Sequence, residues 1–140
     1  VISFRDGIYF CQHRDGQIVG GIGNPREKVG INIASSLWFL KTMGKMLTRY
    51  VPALKNVCVL RQWAGMYDVT PDAAPILGYT AVKNFIVVCG FSGHGFMIAP
   101  AVAKHVSEMI VTGKVPHQIE HLNIERFKDK SIVREHAVVG

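Results

Sequence analysis

No apolar run in this chain approaches the roughly 18 residues that a membrane-spanning helix needs, and no stretch is laid out as a signal peptide. A protein without a membrane span, working in the cytoplasm, is the expectation. Cysteine is scarce. Cys11, Cys58 and Cys89 are unclustered and odd in number, in apolar surroundings that suit buried thiols in a reducing compartment and not a zinc site. His13, His105, His117, His121 and His136 show no ligand spacing. No nucleophile–base arrangement for hydrolysis stands out. Acidic residues are outnumbered, 10 against 16 Lys and Arg, for a net charge of +6. The basic residues are scattered, however, with no run interleaved with aromatics, so nucleic acid is not the expected partner. A solvated basic face, or a docking face for an acidic partner, accounts for the charge. The dinucleotide-binding fingerprint is missing too, because Gly90, Gly93 and Gly95 are spaced wrongly for it and no suitable βαβ unit follows. Repeats, low-complexity runs and internal linkers are absent.

What is present is apolar character. The 140 residues are one domain's worth of chain, yet 49% are hydrophobic and the mean hydropathy is +0.20. That excess implies surface meant to be covered by another domain or subunit.

The chain is organised around residues 85–113. Phe85, Ile86, Val87, Val88 and Cys89 predict a short buried strand. Gly90, Gly93 and Gly95 then allow a sharp turn and a close backbone approach to a ligand. Ile98, Ala101, Val102, His105, Val106, Met109 and Ile110 recur at helical spacing, with Gly113 as the C-cap and Pro100 tolerated in the first turn. The result is a strand, a glycine turn and a helix N-terminus, where free N–H groups favour an electron-rich or anionic group. The spacing is equally that of a plain strand-to-helix connection.

Upstream, residues 2–5 and 8–13 read as strands, and Asp15-Gly16 predicts a hairpin into residues 17–21. Gly20, Gly21 and Gly23 mark a place where the strand bends or another group approaches. A polar connection over 24–33 leads to Ser35 or Ser36 as N-cap of a helix carrying Leu37, Leu40, Met43, Leu47 and Val51 on one face. Gly44 weakens that helix and Pro52 stops it. Residues 57–63 predict a strand, with Trp63 in core packing; 66–75 a loop; and 76–82 an irregular or short strand. The tail after Gly113 has little periodicity. Strands, a helix, more strands and a final helix make an α+β unit.

The run from Arg61 through Trp63, Gly65, Tyr67, Asp68, Thr70, Pro71, Asp72 and Pro75 to Gly78, followed by the glycine turn, resembles the C-terminal part of the FAD-dependent amine and amino-acid oxidoreductases. D-amino-acid oxidase, glycine oxidase and sarcosine oxidase belong to that family. Within it the chain is most similar to the β subunits of sarcosine oxidase and dye-linked L-proline dehydrogenase. The resemblance implies antiparallel substrate-domain strands over about residues 1–82. A flavin-contacting strand, loop and helix would cover about 83–113, with a tail over 114–140. The N-terminal Rossmann unit of the family is lacking, which implies a fragment or one piece of a split enzyme. The partner would then be an N-terminal FAD-binding domain or subunit, in an oligomer.

Oxidation of a C–N bond in this family moves a hydride to the flavin, and N–H groups aimed at the ring stabilise the charge that develops. The resemblance carries cofactor contact onto Gly93, His94, Gly95, Phe96 and Met97, with Gly90 permitting close approach. His94 reads alternatively as a loop histidine capping the helix. Met97 stands where monomeric sarcosine oxidases bind the substrate carboxylate with a lysine. Tyr67 stands where glycine oxidase has its carboxylate-binding arginine, and a hydroxyl can hydrogen-bond there without charge. Tyr67 reads alternatively as a core or interface aromatic. By the same resemblance Gly65 falls where monomeric sarcosine oxidases carry the cysteine that bonds covalently to FAD, so non-covalent FAD is expected. Phe10 falls at an active-site tyrosine and Val19 at an oxygen-activating lysine, which favours an acceptor other than oxygen. Arg61 either faces the flavin or pairs with Asp72. Sarcosine, proline or a similar small amino acid would be the substrate. The rival reading is an assembly module that docks on a flavoprotein and does no chemistry.

Overall fold

A computed structural model describes residues 1–128. These fall into two compact units that divide between Met66 and Tyr67. Lysine and arginine outnumber the acids in residues 1–66, whereas the two signs balance in 67–128.

The first unit is a three-stranded antiparallel sheet with one helix against it. Strands β1 (Ile2–Ser3), β2 (Ile8–Gln12) and β3 (Ile18–Ile22) lie in sequence order. The predicted Asp15-Gly16 turn joins β2 to β3, with Gly16 at φ 84° and Phe10 opposite Gly20. Alternation along β2 buries Ile8 and Phe10 and turns Tyr9 and Cys11 outward. Helix α1 (Leu37–Tyr50) starts where Ser36 accepts a hydrogen bond from the Phe39 amide at 3.2 Å. Met43 of α1 joins Ile8 and Phe10 in the core, flanked by Phe39, Met46, Leu47 and Val51. The buried stripe is thus Phe39, Met43, Met46 and Leu47, and Leu37 of the expected face is 72% exposed. Both stripes satisfy the 3.6-residue period, and docking on the sheet selects between them. Gly20 is the reason α1 can come so close: a Cβ there would stand 2.7 Å from Met43 Cε and from Phe10 Cβ. Gly21 lies under the Tyr9 ring in the same way.

The expected strand over 57–63 does not form. After a 3₁₀ turn (Pro52–Asn56) the chain is extended, and Val57, Val59, Leu60 and Trp63 are all exposed. A β-prone sequence becomes a strand only when a neighbour completes its ladder, and among the described residues none lies beside it. Trp63 is therefore not core. Cys11 and Cys58 are exposed as well, and only Cys89 is half-buried, against the expectation of buried thiols.

The second unit carries a two-stranded antiparallel sheet, β4 (Ile76–Tyr79) paired with β5 (Ile86–Cys89), then α2 (Gly95–Thr112) and α3 (His117–Glu120). β5 is half-buried, with Val88 at its exposed face, less covered than its apolar run predicts. Ile98, Val102, His105, Val106 and Met109 of α2 turn inward, while Ala101 and Ile110 are exposed. Gly113 ends α2 at φ 70°, its amide donating to Met109 O at 2.9 Å. Tyr79 Oη donates to the same carbonyl, fastening α2 to β4. The tail, which shows no pattern in the sequence, folds back: the Leu77 amide donates to Leu122 O, and Ile119 is buried. The tail beyond Lys128, with His136, lies outside the described residues.

That tail supplies the strongest polar contact of the unit. Arg126 Nε donates to Asp72 Oδ2 at 2.6 Å and Nη2 to Oδ1 at 3.0 Å, both side chains being mostly buried. Nη2 also reaches Ala74 O, and Nη1 reaches Leu122 O and Asn123 O. Arg126, not Arg61, is the partner of Asp72; Arg61 is exposed. The Arg126 hydrogen bond outweighs burial and lowers the Asp72 carboxyl from its ordinary 3.8 to about 2. Asp72 therefore stabilises the fold fully above about pH 4, and this contribution is lost as pH falls through about 2. Arg126→Leu should lower the unfolding free energy at pH 7 by about 3 kcal/mol, because it strands a buried carboxylate. Urea melts at pH 7, 4 and 2.5 check both points. The variant should lose most of the steep acid dependence seen in the parent between pH 4 and 2.5.

Candidate functional site

The turn between β5 and α2 is built from residues that ordinary side chains could not replace. Gly90, Ser92 and Gly93 have φ of 73°, 51° and 93°. Left-handed backbone is costly for a residue with a Cβ, so Ser92 must be held. It is: Ser92 is 1% exposed, its amide donates to Asp68 O at 3.3 Å, and its Oγ accepts from the Thr70 amide at 3.4 Å. The Asp68 carboxylate accepts from the Gly90 amide at 2.7 Å. Residues 67–70 thus lie along the turn, and a Cβ on Gly93 would come within 3.1 Å of the Tyr67 ring. One on Gly90 would collide with Thr70 Cγ2. Thr70 cannot yield, since its hydroxyl lies 3.0 Å from Asp72 Oδ1 and 2.8 Å from Ala74 O.

His94 occupies the N-cap position of α2 in αR conformation, and its side chain makes no capping hydrogen bond. Its carbonyl takes the amides of Met97 (3.2 Å) and Ile98 (3.3 Å). The amide of Met97 is therefore engaged within the helix, and the first-turn donors with no carbonyl four residues back inside α2 narrow to Gly95 and Phe96. Gly95 lies against Phe91, where a Cβ would meet Phe91 Cβ at 3.2 Å. Phe96 is 98% exposed and Met97 73%.

Of the residues singled out in the sequence, the structure brings together Tyr67, Gly90, Gly93, His94, Gly95, Phe96 and Met97 in the second unit. Phe10 belongs to the first unit, where it is 7% exposed and packed in the core with its ring centroid 6.3 Å from that of Tyr50. Gly65, also in the first unit, has open space where its Cβ would be. Asp68, Thr70 and Ser92 escape a reading of glycines and cations. The signal for them is the polar spacing Asp68, Thr70, Asp72 ahead of a turn that needs bracing.

The site's chemistry fits the edge of an electron-rich ring better than a diphosphate. No lysine or arginine stands between Lys83 and Lys104 to balance two phosphate charges. What the site offers instead is helix-end amides, glycines that allow close approach, and the exposed faces of Phe96 and Met97. A flavin ring system meets those requirements. Gly90→Ala should cost about 2–4 kcal/mol, the sum of a left-handed alanine and the clash with Thr70. In a Thr70→Ser background, which removes Cγ2 and keeps the hydroxyl, the cost should fall to about 1–2 kcal/mol. Denaturant melts of the four proteins in this cycle measure both.

The comparisons agree with that chemistry. The family model described as FAD dependent oxidoreductase matches residues 1–109. Sarcosine oxidase subunit beta of Rhodobacter capsulatus is 30% identical over 135 residues, covering 94% of this chain and 31% of that protein. FAD-dependent oxidoreductase domain-containing protein 1 of Bos taurus is 38% identical over 119 residues, 81% of this chain and 24% of its own length. Among solved structures, L-proline dehydrogenase from P. horikoshii superposes with a TM-score of 0.84 at 38% identity, over 95% of this chain and 36% of its own. The chain spans about a third or less of these relatives. The match over residues 1–109 makes the chain a member of the FAD dependent oxidoreductase family.

Proposed function

We propose that this chain is the substrate-covering, flavin-contacting C-terminal portion of an FAD-dependent dehydrogenase. Its substrate is a small amino acid or secondary amine of the proline or sarcosine kind, oxidised at a C–N bond to an imine. The observation that carries this reading is the packing of Tyr67 against Gly93, immediately ahead of the first turn of α2. It puts the Tyr67 ring against the turn two residues before Gly95, where α2 begins. A substrate reader and a flavin reader so joined suit a reaction in which both reactants meet face to face.

Bound FAD supplies the hydride acceptor. The chain's own residues do the rest. Gly93, His94, Gly95, Phe96 and Met97 frame the ring edge, and amides already fixed there stabilise developing negative charge without reorganising. Tyr67 offers its hydroxyl to the substrate carboxylate or a neighbouring polar group. Met97 adds only an apolar contact, so the cation for the carboxylate comes from outside this chain. Glycine at 65 provides no thiol, and the cofactor is held non-covalently. A Rossmann domain or subunit holds the adenine and pyrophosphate, in a cytoplasmic hetero-oligomer. The basic excess of residues 1–66 and the exposed side chains of 57–63 suit docking on such a partner. Valine at 19 in place of a cation disfavours transfer to oxygen, and the acceptor is a dye, a quinone or a second cofactor. Among the described residues no helix is long and apolar enough to cross a membrane.

The test is the visible spectrum of the chain before and after assembly with FAD and the matching flavin-binding domain. Flavin bands that appear on assembly and bleach anaerobically with proline or sarcosine are the expected result. An assembled complex that retains no flavin would overturn the reading in favour of a structural module. In the active assembly Tyr67→Phe should raise KM about tenfold and leave kcat nearly unchanged, as loss of one substrate hydrogen bond does.

A further inference from the structure

Asp68 has no part in the chemistry just described, yet it is tied to both halves of it. Its carboxylate oxygen Oδ2 accepts from the Gly90 amide at 2.7 Å, and its own carbonyl accepts from the Ser92 amide at 3.3 Å. One residue later the chain returns the contact, the Thr70 amide donating to Ser92 Oγ at 3.4 Å, while that hydroxyl lies 3.4 Å from Gly90 O. One residue earlier, Tyr67 covers Gly93. Two segments 22 residues apart are therefore cross-linked at Gly90 and at Ser92 and packed at Gly93. Three of the four residues from Gly90 to Gly93 have left-handed backbone. A turn of that kind has no helix or sheet ladder to hold it, so its shape depends on partners outside itself.

We infer that Asp68 is a positioning residue: its carboxylate fixes the peptide planes of the turn, and so fixes the amides of Gly95 and Phe96 relative to Tyr67. A carboxylate suits the task because a charge-assisted hydrogen bond to a backbone amide is short and strong. The side chain immediately before it, Tyr67, and the helix just after the turn are then one rigid element. Flavin-side and substrate-side groups cannot drift apart. This inference rests on the function proposed above, and it assigns a role to a residue that touches neither reactant.

The test uses the assembled flavoprotein with Asp68→Ala, Asp68→Asn and Asp68→Glu, read by hydrogen exchange and by flavin titration. In Asp68→Ala, amide exchange over 90–97 should quicken about tenfold, while exchange over 104–112 of the same helix stays unchanged. FAD should bind about tenfold more weakly, and the flavin absorption maximum should shift. Asp68→Asn, which keeps an acceptor oxygen in place, should recover most of both effects. Asp68→Glu keeps the charge but moves the acceptor outward, and should reproduce the alanine result. It serves as the deciding variant if the alanine protein does not fold. Equal quickening of both peptides, or faster exchange with unaltered flavin affinity and spectrum, would overturn the inference. A parent assembly that holds no flavin would instead overturn the proposed function, leaving the exchange result to stand alone.

Discussion

A guanidinium closed on a carboxylate 54 residues earlier in the chain holds the second unit in shape. Arg126 grips both oxygens of Asp72 and the carbonyl of Ala74. Asp72 in turn sets Thr70, whose hydroxyl lies between Asp72 Oδ1 and Ala74 O and whose methyl fills the space a β-carbon at Gly90 would need. From Gly90 the constraint passes through Ser92 to Gly93 and the start of α2. The one Thr70 hydroxyl proton faces two acceptors, but Arg126 donates to both of them, so neither oxygen lacks a donor. That is the condition under which a buried polar network specifies one geometry and does not merely cost desolvation. The glycine turn is thus the last link of a chain of contacts that begins in the tail.

How much of this could be read from residues alone depends on the distance over which each feature is decided. The Asp15-Gly16 hairpin, the Ser36 cap, the Gly113 cap and most of the inward face of α2, all but Ala101 and Ile110, are settled within a few residues and appear in the sequence. The Asp72 partner is not: the sequence offers the nearby Arg61, whereas the actual cation, Arg126, comes from a tail with little periodicity 54 residues on. Residues 57–63 show the opposite limit. Their β-prone pattern is plain, but a strand is a property of two segments, and no described one lies beside them. The site divides in the same manner. Its glycines are visible because only they permit the turn, whereas Asp68 and Ser92 are ordinary polar residues until their partners are seen.

Phe10 packs in the core of the first sheet. The residues proposed above to meet flavin and substrate in the second unit lie within 67–97, where hydrogen bonds and van der Waals contacts tie the 67–70 segment to the glycine turn. Preorganisation of this kind makes the arrangement economical: amides fixed by the fold need no reordering when charge develops. The first unit differs, with a basic excess and a row of exposed apolar side chains.

The clasp also has a history in time. Chains leave the ribosome at about 5–20 residues per second, so Asp72 emerges roughly 3–11 s before Arg126 does. For that interval the carboxylate has no guanidinium, and the turn has only its contacts with Asp68 and Thr70 to hold it. The clasp closes only when the tail arrives.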